Sequence, residues 1–349
     1  MTNGSTASLQ NEATANSATQ VGETALSSPL QQLYHPVREE LAQVEVMLAA
    51  ELRSDAPFVD DLVRHAGRLS GKRLRPALLL LAGKACGSLE PAHIVLATVV
   101  EMIHTATLIH DDVLDEADLR RHQETVNARW SNEASVLLGD YLFSHSFYLA
   151  STLENTFACQ SIGRSTNIVC RGEMLQVANR SNFNLSEDDY FEIIDAKTAE
   201  LTACCCLLGA CYSGAEIELR DRLEQYGRYL GLAFQIADDL LDVCGDEDSM
   251  GKSLGTDFEK SKPTLPLIRL LSTGNATERA EIEALLQLPA ARRREALLRR
   301  LEESEAIQYA RERAQSFADQ ARRLVADLPL GEAQQTLLHL PDFVLARQQ

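Results

Sequence analysis

Beyond about residue 30, apolar residues recur at three- and four-residue spacing almost everywhere. Leu41, Val44, Met47 and Leu48 form one such set, Val99, Met102, Ile103 and Ala106 a second, and Leu230, Ala233, Phe234, Ala237 and Leu241 a third. That period belongs to helices with one face turned to a core. Alternation with a period of two is scarce, and the 18 Gly and 10 Pro gather in short breaks between the periodic runs. The pattern predicts an all-α fold. Helix breaks are expected at Ala56-Pro57, Ser70-Gly71, Gly87 to Pro91, Ser181 to Ser186, Cys211 to Gly214, Gly245 to Pro266, Ser272 to Thr277 and Leu328 to Gly331. Residues 1–30, rich in Ser, Thr, Asn, Gln and Ala with no Lys or Arg before Arg38, are expected to form a disordered tail. Residues 31–349 show no Pro/Gly/Ser linker and no fixed-period repeat, so one helical domain is expected there.

Composition narrows the partners. A formal charge of -18 argues against nucleic acid and anionic membranes, and any anion site must be a local basic pocket. The eight cysteines include Cys204, Cys205 and Cys206 in a row but no CxxC pair, which reads as reduced, small, buried side chains. The tail has neither the basic start nor the apolar run of a signal peptide, so a cytoplasmic location is expected. The longest apolar stretch, Ile94 to Ile109, is interrupted by Glu101 and His104 and is too short for a transmembrane segment; it is expected to be a buried helix. The basic run with Arg292, Arg293, Arg294, Arg299 and Arg300, interleaved with leucines and acids, reads as a solvated helix face.

The chemistry gathers around a repeated acidic string, Asp111-Asp112-Val113-Leu114-Asp115 and Asp238-Asp239-Leu240-Leu241-Asp242. On a helix, positions i, i+1 and i+4 share a face, which brings three carboxylates within about 6 Å. Such crowding raises a pKa or recruits cations, and oxygen donors without His or Cys suit Mg²⁺ or Mn²⁺ rather than zinc. One copy means little, since acidic pairs decorate many solvated helices. Two copies, each closing an apolar run, suggest opposed jaws that hold a polyanion such as a diphosphate through metal ions. Cations supply the complement: Lys72, Arg73 and Arg75 beside Gly71, Arg120-Arg121 after the first acidic string, and Lys252, Lys260 and Lys262 in a breaker-rich stretch that would serve as a lid.

In their order along the chain these motifs resemble the trans-type isoprenyl diphosphate synthases, from about Leu33 to the end. The resemblance is carried by Gly71-Lys72-Arg73-Leu74-Arg75-Pro76, His104, Asp111 to Asp115, Arg120-Arg121, Gly139-Asp140, Gly172-Glu173-Met174-Leu175-Gln176, Lys197-Thr198-Ala199, Phe234-Gln235 with Asp238 to Asp242, and Lys262-Pro263-Thr264-Leu265-Pro266. It implies an isoprenoid synthase-type helical bundle around a deep central cavity, and a homodimer. It also implies that Asp111, Asp112, Asp115, Asp238, Asp239 and Asp242 hold about three Mg²⁺ on the diphosphate of an allylic substrate, with Asp111, Asp115 and Asp238 the direct ligands. Arg120, Lys197, Lys252 and Lys262 would then neutralise the leaving diphosphate, and Thr198 and Gln235 would present oxygen dipoles to the allylic cation. Isopentenyl diphosphate would dock without metal on Lys72, Arg75, His104 and Arg121. Without the resemblance, His104 reads first as a core histidine bonded to backbone.

The chain departs from the family pattern in three places. Ser70 stands where a second Gly is common, His122 where a Gly follows the Arg pair, and Ser144-His145-Ser146 where an Ala-Arg-Ala-like stretch is usual. His122 puts the turn beside Arg121 in doubt, because a side chain replaces a permissive glycine.

Product length is read from the helix leading to the first acidic string. Thr107 lies one turn and Ile103 two turns before Asp111, each turn spanning about 5.4 Å. Members of the family that stop at short chains carry a bulky aromatic four or five residues before the string, whereas here those places are Thr107 and Ala106. The expected product is an all-trans chain of roughly thirty to fifty carbons, limited by cavity depth. The floor is sought at Met102, Val99 or an aromatic between Tyr141 and Tyr148. The starter could be dimethylallyl, geranyl, farnesyl or geranylgeranyl diphosphate. Competing readings are a geranylgeranyl diphosphate synthase, a terpene cyclase with a differently spaced second metal motif, and a non-catalytic subunit, which would be expected to lack some of the six aspartates.

Overall fold

The structure, a computed structural model, describes residues 29–69, 71–244, 260 and 262–346. The expected tail and most of the stretch from Gly245 to Pro266, with Lys252 in it, lie outside the described residues, as does Ser70. The chain runs through α1 (Pro29–Leu33), a 3-10 turn (His35–Val37), α2 (Arg38–Glu51), α3 (Pro57–Leu69), α4 (Leu74–Cys86) and α5 (Pro91–Leu114). A two-stranded hairpin, β1 (Leu119–Arg120) and β2 (Gln123–Glu124), precedes α6 (Val126–Arg129), α7 (Asn132–Ser151), α8 (Phe157–Ala178) and α9 (Glu187–Ile194). A π-helical turn (Asp195–Ala199) leads into α10 (Glu200–Tyr212) and α11 (Ile217–Cys244). The rest is α12 (Leu265–Thr273), α13 (Ala276–Leu286), α14 (Ala290–Glu302), α15 (Ala306–Val325) and α16 (Glu332–Ala346).

Local chemistry sets the helix ends. Ser131 caps α7 by accepting from the Ala134 N–H, Ser186 and Asp189 form a capping box at α9, and Asn275 and Glu278 form another at α13. Each such cap is worth about 1 kcal/mol because it satisfies N–H groups the helix leaves open. The predicted breaks at 56–57, 87–91, 181–186, 211–214, 272–277 and 328–331 all fall at observed helix ends. Further breaks, at 130–131, 152–156, 287–289 and 303–305, carried no Gly cluster, and the hairpin after α5 was also unforeseen. Strands of two residues are too short to leave a periodic trace.

The bundle is organised around α4, α5, α10 and α11. Leu78, Leu79, Leu80 and Leu81 on α4 are all fully buried, since α4 packs on α5 and α10 together. Each buried leucine contributes about 1.5–3 kcal/mol of transfer free energy. α10 sits between α4 and α11, and its Cys204, Cys205 and Cys206 are buried free thiols there. The expectation that all the cysteines are buried fails at Cys170 and Cys244, which are exposed on the outer face of α8 and at the end of α11. α5 is long and apolar enough to cross a membrane, but 72% of that stretch is buried inside the bundle. On α14, Leu297 and Leu301 turn inward while Arg299 pairs with Glu295 and Arg300 with Glu281, the solvated face that was expected.

Candidate active site

The two acidic strings end up on α5 and α11, on opposite sides of the π-helical turn. Lys197 of that turn reaches Asp111 on α5, with Nζ 3.7 Å from Oδ2, and is anchored at 2.6 Å by Glu173 of α8. The next residue, Thr198, donates to Gln235 Oε1 on α11 at 2.7 Å. Gln235 Nε2 in turn donates to Asp239 Oδ1 at 2.8 Å, and the Tyr190 hydroxyl of α9 donates to Asp239 Oδ2 at 2.6 Å. Consecutive residues of one turn thus join both acidic helices.

Within each trio the carboxylates do not act alike. Asp112 is buried and turned toward Arg120 of β1, whose Nε lies 2.9 and 3.1 Å from its two oxygens. Asp239 is buried against Tyr190 and Gln235, and Asp242 is buried as well. Asp111, Asp115 and Asp238 keep part of their surface open. Asp115 draws Arg180 at 3.2 Å, Lys262 at 3.2 Å and Lys260 at 3.5 Å. Among the described residues no group of three His, Cys, Asp or Glu side chains is arranged to hold a metal ion by itself.

Charge states follow from these neighbours. Burial pushes the Asp112 carboxyl up despite Arg120, with Asp111 and Asp115 adding to the rise. Burial also opposes the charge on Asp115, but Lys262, Lys260 and Lys197 outweigh it and hold that carboxyl below its usual range. Lys197 loses solvation, yet Asp111 and Glu173 raise its affinity for the proton, so it stays a cation. Glu173 is pushed up by burial and by Asp111.

Two turns before Asp111, on the same face of α5, the surroundings are basic. His104 is half-buried, and its pKa is lowered well below 6.5 by loss of solvent and by Arg75, Arg120, Arg121 and Arg73 around it. The ring is neutral and can accept or donate one hydrogen bond while the guanidinium groups carry the charge. Arg75 Nε is buried, and among the described residues it has no hydrogen-bond partner. A buried donor left open is costly, about 1–3 kcal/mol, and marks a place where an acceptor is wanted. Arg73 differs from its neighbours. It begins α4 in the left-handed conformation, φ 53°, with its guanidinium spent on Glu45 of α2 (Nη2–Oε2 3.0 Å) and Glu101 of α5 (Nη1–Oε1 2.8 Å). The turn carrying Lys72 is further tied by Tyr34, whose hydroxyl donates to the Lys72 carbonyl at 2.9 Å.

Arg121 and His122 form the tip of the hairpin, in which Arg120 pairs with Gln123 and Leu119 with Glu124. Both tip residues are left-handed, at φ 53° and 62°. The tight turn is therefore kept without its usual glycine, at a cost of about 1 kcal/mol for each residue. The Arg121 guanidinium lies directly over Gly71, so close that a side chain there would collide with it. That contact puts Arg121 beside Lys72 at the mouth of α4.

The expected product-length residues line up on α5. Ile103 and Ala106 are buried, and Thr107 is half-buried with its hydroxyl donating to the His104 carbonyl at 2.8 Å. Met102 and Val99 are fully buried below them. Of the aromatics sought as a floor, Tyr141 and Tyr148 face outward and are ruled out, because they lie on the exposed stripe of α7. Phe143 and Phe147 are packed against the core, and Phe143 stacks on His110 with ring centroids 6.0 Å apart.

Sequence reading missed several partners. Glu173 was noted within a motif and given no task, and Arg180, Tyr190, Asp195, Glu200 and Arg228 carried no signal at all. Their partners lie 28 to 65 residues away in the chain, beyond any local pattern.

The polyprenyl synthetase family model matches residues 56–303. The octaprenyl diphosphate synthase of Escherichia coli K12 is 33% identical over 315 residues, covering 89% of this chain and 98% of that protein. The crystal structure of a decaprenyl diphosphate synthase from Rhodobacter capsulatus has a TM-score of 0.86 at 35% identity, covering 92% of this chain and 100% of that one. A polyprenyl synthase from Caulobacter crescentus CB15, complexed with calcium and isoprenyl diphosphate, has a TM-score of 0.86 at 34% identity, covering 92% and 98%. The chain belongs to the polyprenyl synthetase family. It is a prenyltransferase of the polyprenyl diphosphate synthase class, and its relatives include octaprenyl, heptaprenyl and decaprenyl diphosphate synthases.

Proposed function

We propose that this enzyme condenses an allylic prenyl diphosphate with isopentenyl diphosphate, head to tail, to build an all-trans polyprenyl diphosphate of roughly thirty to fifty carbons. The observation that carries the mechanism is the meeting of carboxylates and guanidinium groups along one face of α5, where Lys197 reaches Asp111, Arg120 bonds Asp112 and the arginines crowd His104. Bound Mg²⁺ (or Mn²⁺) would neutralise charge on the allylic diphosphate, and the oxygen donors Asp111, Asp115 and Asp238 suit it, with Asp112, Asp239 and Asp242 holding the surroundings. The calcium in the Caulobacter crescentus relative fits the same donor chemistry.

Lys197, Lys262 and Arg120 stabilise the departing diphosphate as the allylic C–O bond breaks, and Lys252 is assigned the same task by family resemblance. Thr198 and Gln235 turn oxygen atoms toward the allylic carbon, dipoles that stabilise a cation without trapping it. Lys72, Arg75, His104 and Arg121 hold isopentenyl diphosphate, whose double bond attacks that carbon. The proton lost from the new chain goes to the departed diphosphate, so the protein supplies no separate base.

Small residues at Ala106 and Thr107 leave the tail free to grow past twenty carbons, with Met102, Val99 and Phe143 as candidate floor. Residues 31–349 act as one domain in this reading, in the cytoplasm. A homodimer is supported by an exposed apolar surface on neighbouring helices, Val136, Leu137 and Tyr148 on α7 with Met174 and Val177 on α8. The deciding experiment incubates the enzyme with Mg²⁺, labelled isopentenyl diphosphate and each starter in turn, then sizes the dephosphorylated product. Chains of thirty carbons or more are expected. Geranylgeraniol alone would favour the shorter-chain synthase, diphosphate release without isopentenyl diphosphate a cyclase, and no release a non-catalytic subunit.

A further inference from the structure

The π-helical turn that carries Lys197 and Thr198 is an uncommon conformation, and the structure shows what holds it. A π turn is wider than an α turn and is tolerated where neighbours stabilise it. Arg228 of α11 reaches its two ends at once. Its Nη1 lies 2.9 and 2.7 Å from the two oxygens of Asp195, the first residue of the turn, and its Nη2 lies 2.7 Å from Glu200 Oε2, the residue just after it. The other Glu200 oxygen accepts from the buried Ser165 hydroxyl of α8 at 2.8 Å. Arg228 also stands two helical turns before Gln235, the residue that takes the Thr198 hydroxyl. α11 therefore grips the turn twice, by charge from Arg228 and by a neutral hydrogen bond from Gln235.

Packing tightens the same place. A Cβ on Gly172 of α8 would fall 2.6 Å from the Lys197 backbone nitrogen, and one on Gly231 of α11 would fall 2.6 Å from Ala199 Cα. Glycine at both positions lets α8 and α11 close on the turn from two sides. The charged fork then fixes how the turn is set between them, which no apolar contact would do, because guanidinium–carboxylate pairs are directional.

We propose that Arg228, with Asp195 and Glu200, is a positioning device that fastens the π-helical turn and thereby aims Lys197 and Thr198 at the allylic diphosphate. This rests on the roles given to Lys197 and Thr198 above. Loosening the turn moves these groups by a fraction of an ångström or more, and misplacement of about 1 Å costs roughly a hundredfold in rate.

The test compares single-turnover rates of the first condensation, the KM for isopentenyl diphosphate, and Tm. Arg228→Met is expected to lower the rate roughly ten- to a hundredfold and to lower Tm, because it strands the buried Glu200 carboxylate beside the half-buried Asp195, while KM for isopentenyl diphosphate stays within about twofold. The triple variant Arg228→Met, Asp195→Asn, Glu200→Gln removes the stranded charges. It should recover Tm and leave the rate low. Arg228→Lys keeps the charge but lacks the fork, so it should fold normally and still be slow. A wild-type rate in either the triple variant or Arg228→Lys overturns the proposal, whichever of them folds. Lys197→Ala separates the two readings: if it keeps the wild-type rate, the catalytic role of Lys197 fails, whereas if it is slow and the clamp variants are fast, only the clamp fails.

Discussion

In the proposed reading, two walls set side by side along one face of α5 meet the same chemical group, a diphosphate, with opposite charge. On one side Arg75, Arg120, Arg121 and Arg73 crowd a neutral His104, and Arg75 keeps a buried donor unsatisfied among the described residues. On the other, Asp111, Asp112 and Asp115 are already balanced by Lys197, Arg120, Arg180, Lys260 and Lys262. The first wall can take an anion as it stands. In the proposed reading the second imports positive charge, so that it would couple substrate binding to divalent ions and reserve ionisation for the substrate that arrives with them. Arg120 belongs to both walls, near His104 and bonded from β1 to Asp112 of α5.

The largest expected effect tests that asymmetry directly. Chelating the divalent ions, or making Asp111→Ala, should abolish turnover by about a thousandfold, the worth of several kcal/mol of metal-assisted charge stabilisation. Calorimetry should still detect isopentenyl diphosphate binding in both cases. If its binding also vanishes with the metal, the distinction between the walls is wrong. Next in size, Arg75→Leu should raise the KM for isopentenyl diphosphate by roughly ten- to a hundredfold, the value of a charge-assisted bond, with a much smaller change for the allylic substrate. Equal changes for both substrates would place Arg75 outside the basic wall.

Ala106→Phe should leave turnover present and shorten the product, since a phenyl ring would fill the space one turn and more behind Asp111; unchanged length on chromatography would route the tail elsewhere. The smallest effect concerns pH. His104 has a folded pKa well below the ordinary 6.5, so below about that pH the unfolded chain takes a proton that the folded protein refuses. Its contribution is complete above pH 6.5 and declines as pH falls toward the folded pKa. Tm measured from pH 7.5 to 5 should therefore drop more steeply in the wild type than in His104→Gln, and parallel curves would mean the ring is not held neutral.

Legibility in the sequence varied by element. α5 and α11 were plain because their apolar period runs into an acidic string at the end of each, a pattern carried by neighbouring residues. The cations of the basic wall were legible as strings, yet their division of labour was not. Arg73 looks like Lys72 and Arg75 on paper, but Glu45 and Glu101, each 28 residues away, convert it into a strut that sets the turn at the start of α4. His122 raised a doubt about the turn beside Arg121, and the fold resolves it by accepting two left-handed residues in a row.

What the sequence by itself determined is the helical class, the placement of the aspartates, and the supply of Lys and Arg around them. Periodicity, capping and motif order are properties of adjacent residues, and no tertiary contact is needed to read them. Which carboxylate each cation meets, the neutrality of His104, and the π-helical turn held between α8 and α11 were decided by the tertiary structure alone. These depend on burial and on partners dozens of residues apart, where charge and dielectric are set by what folding brings together.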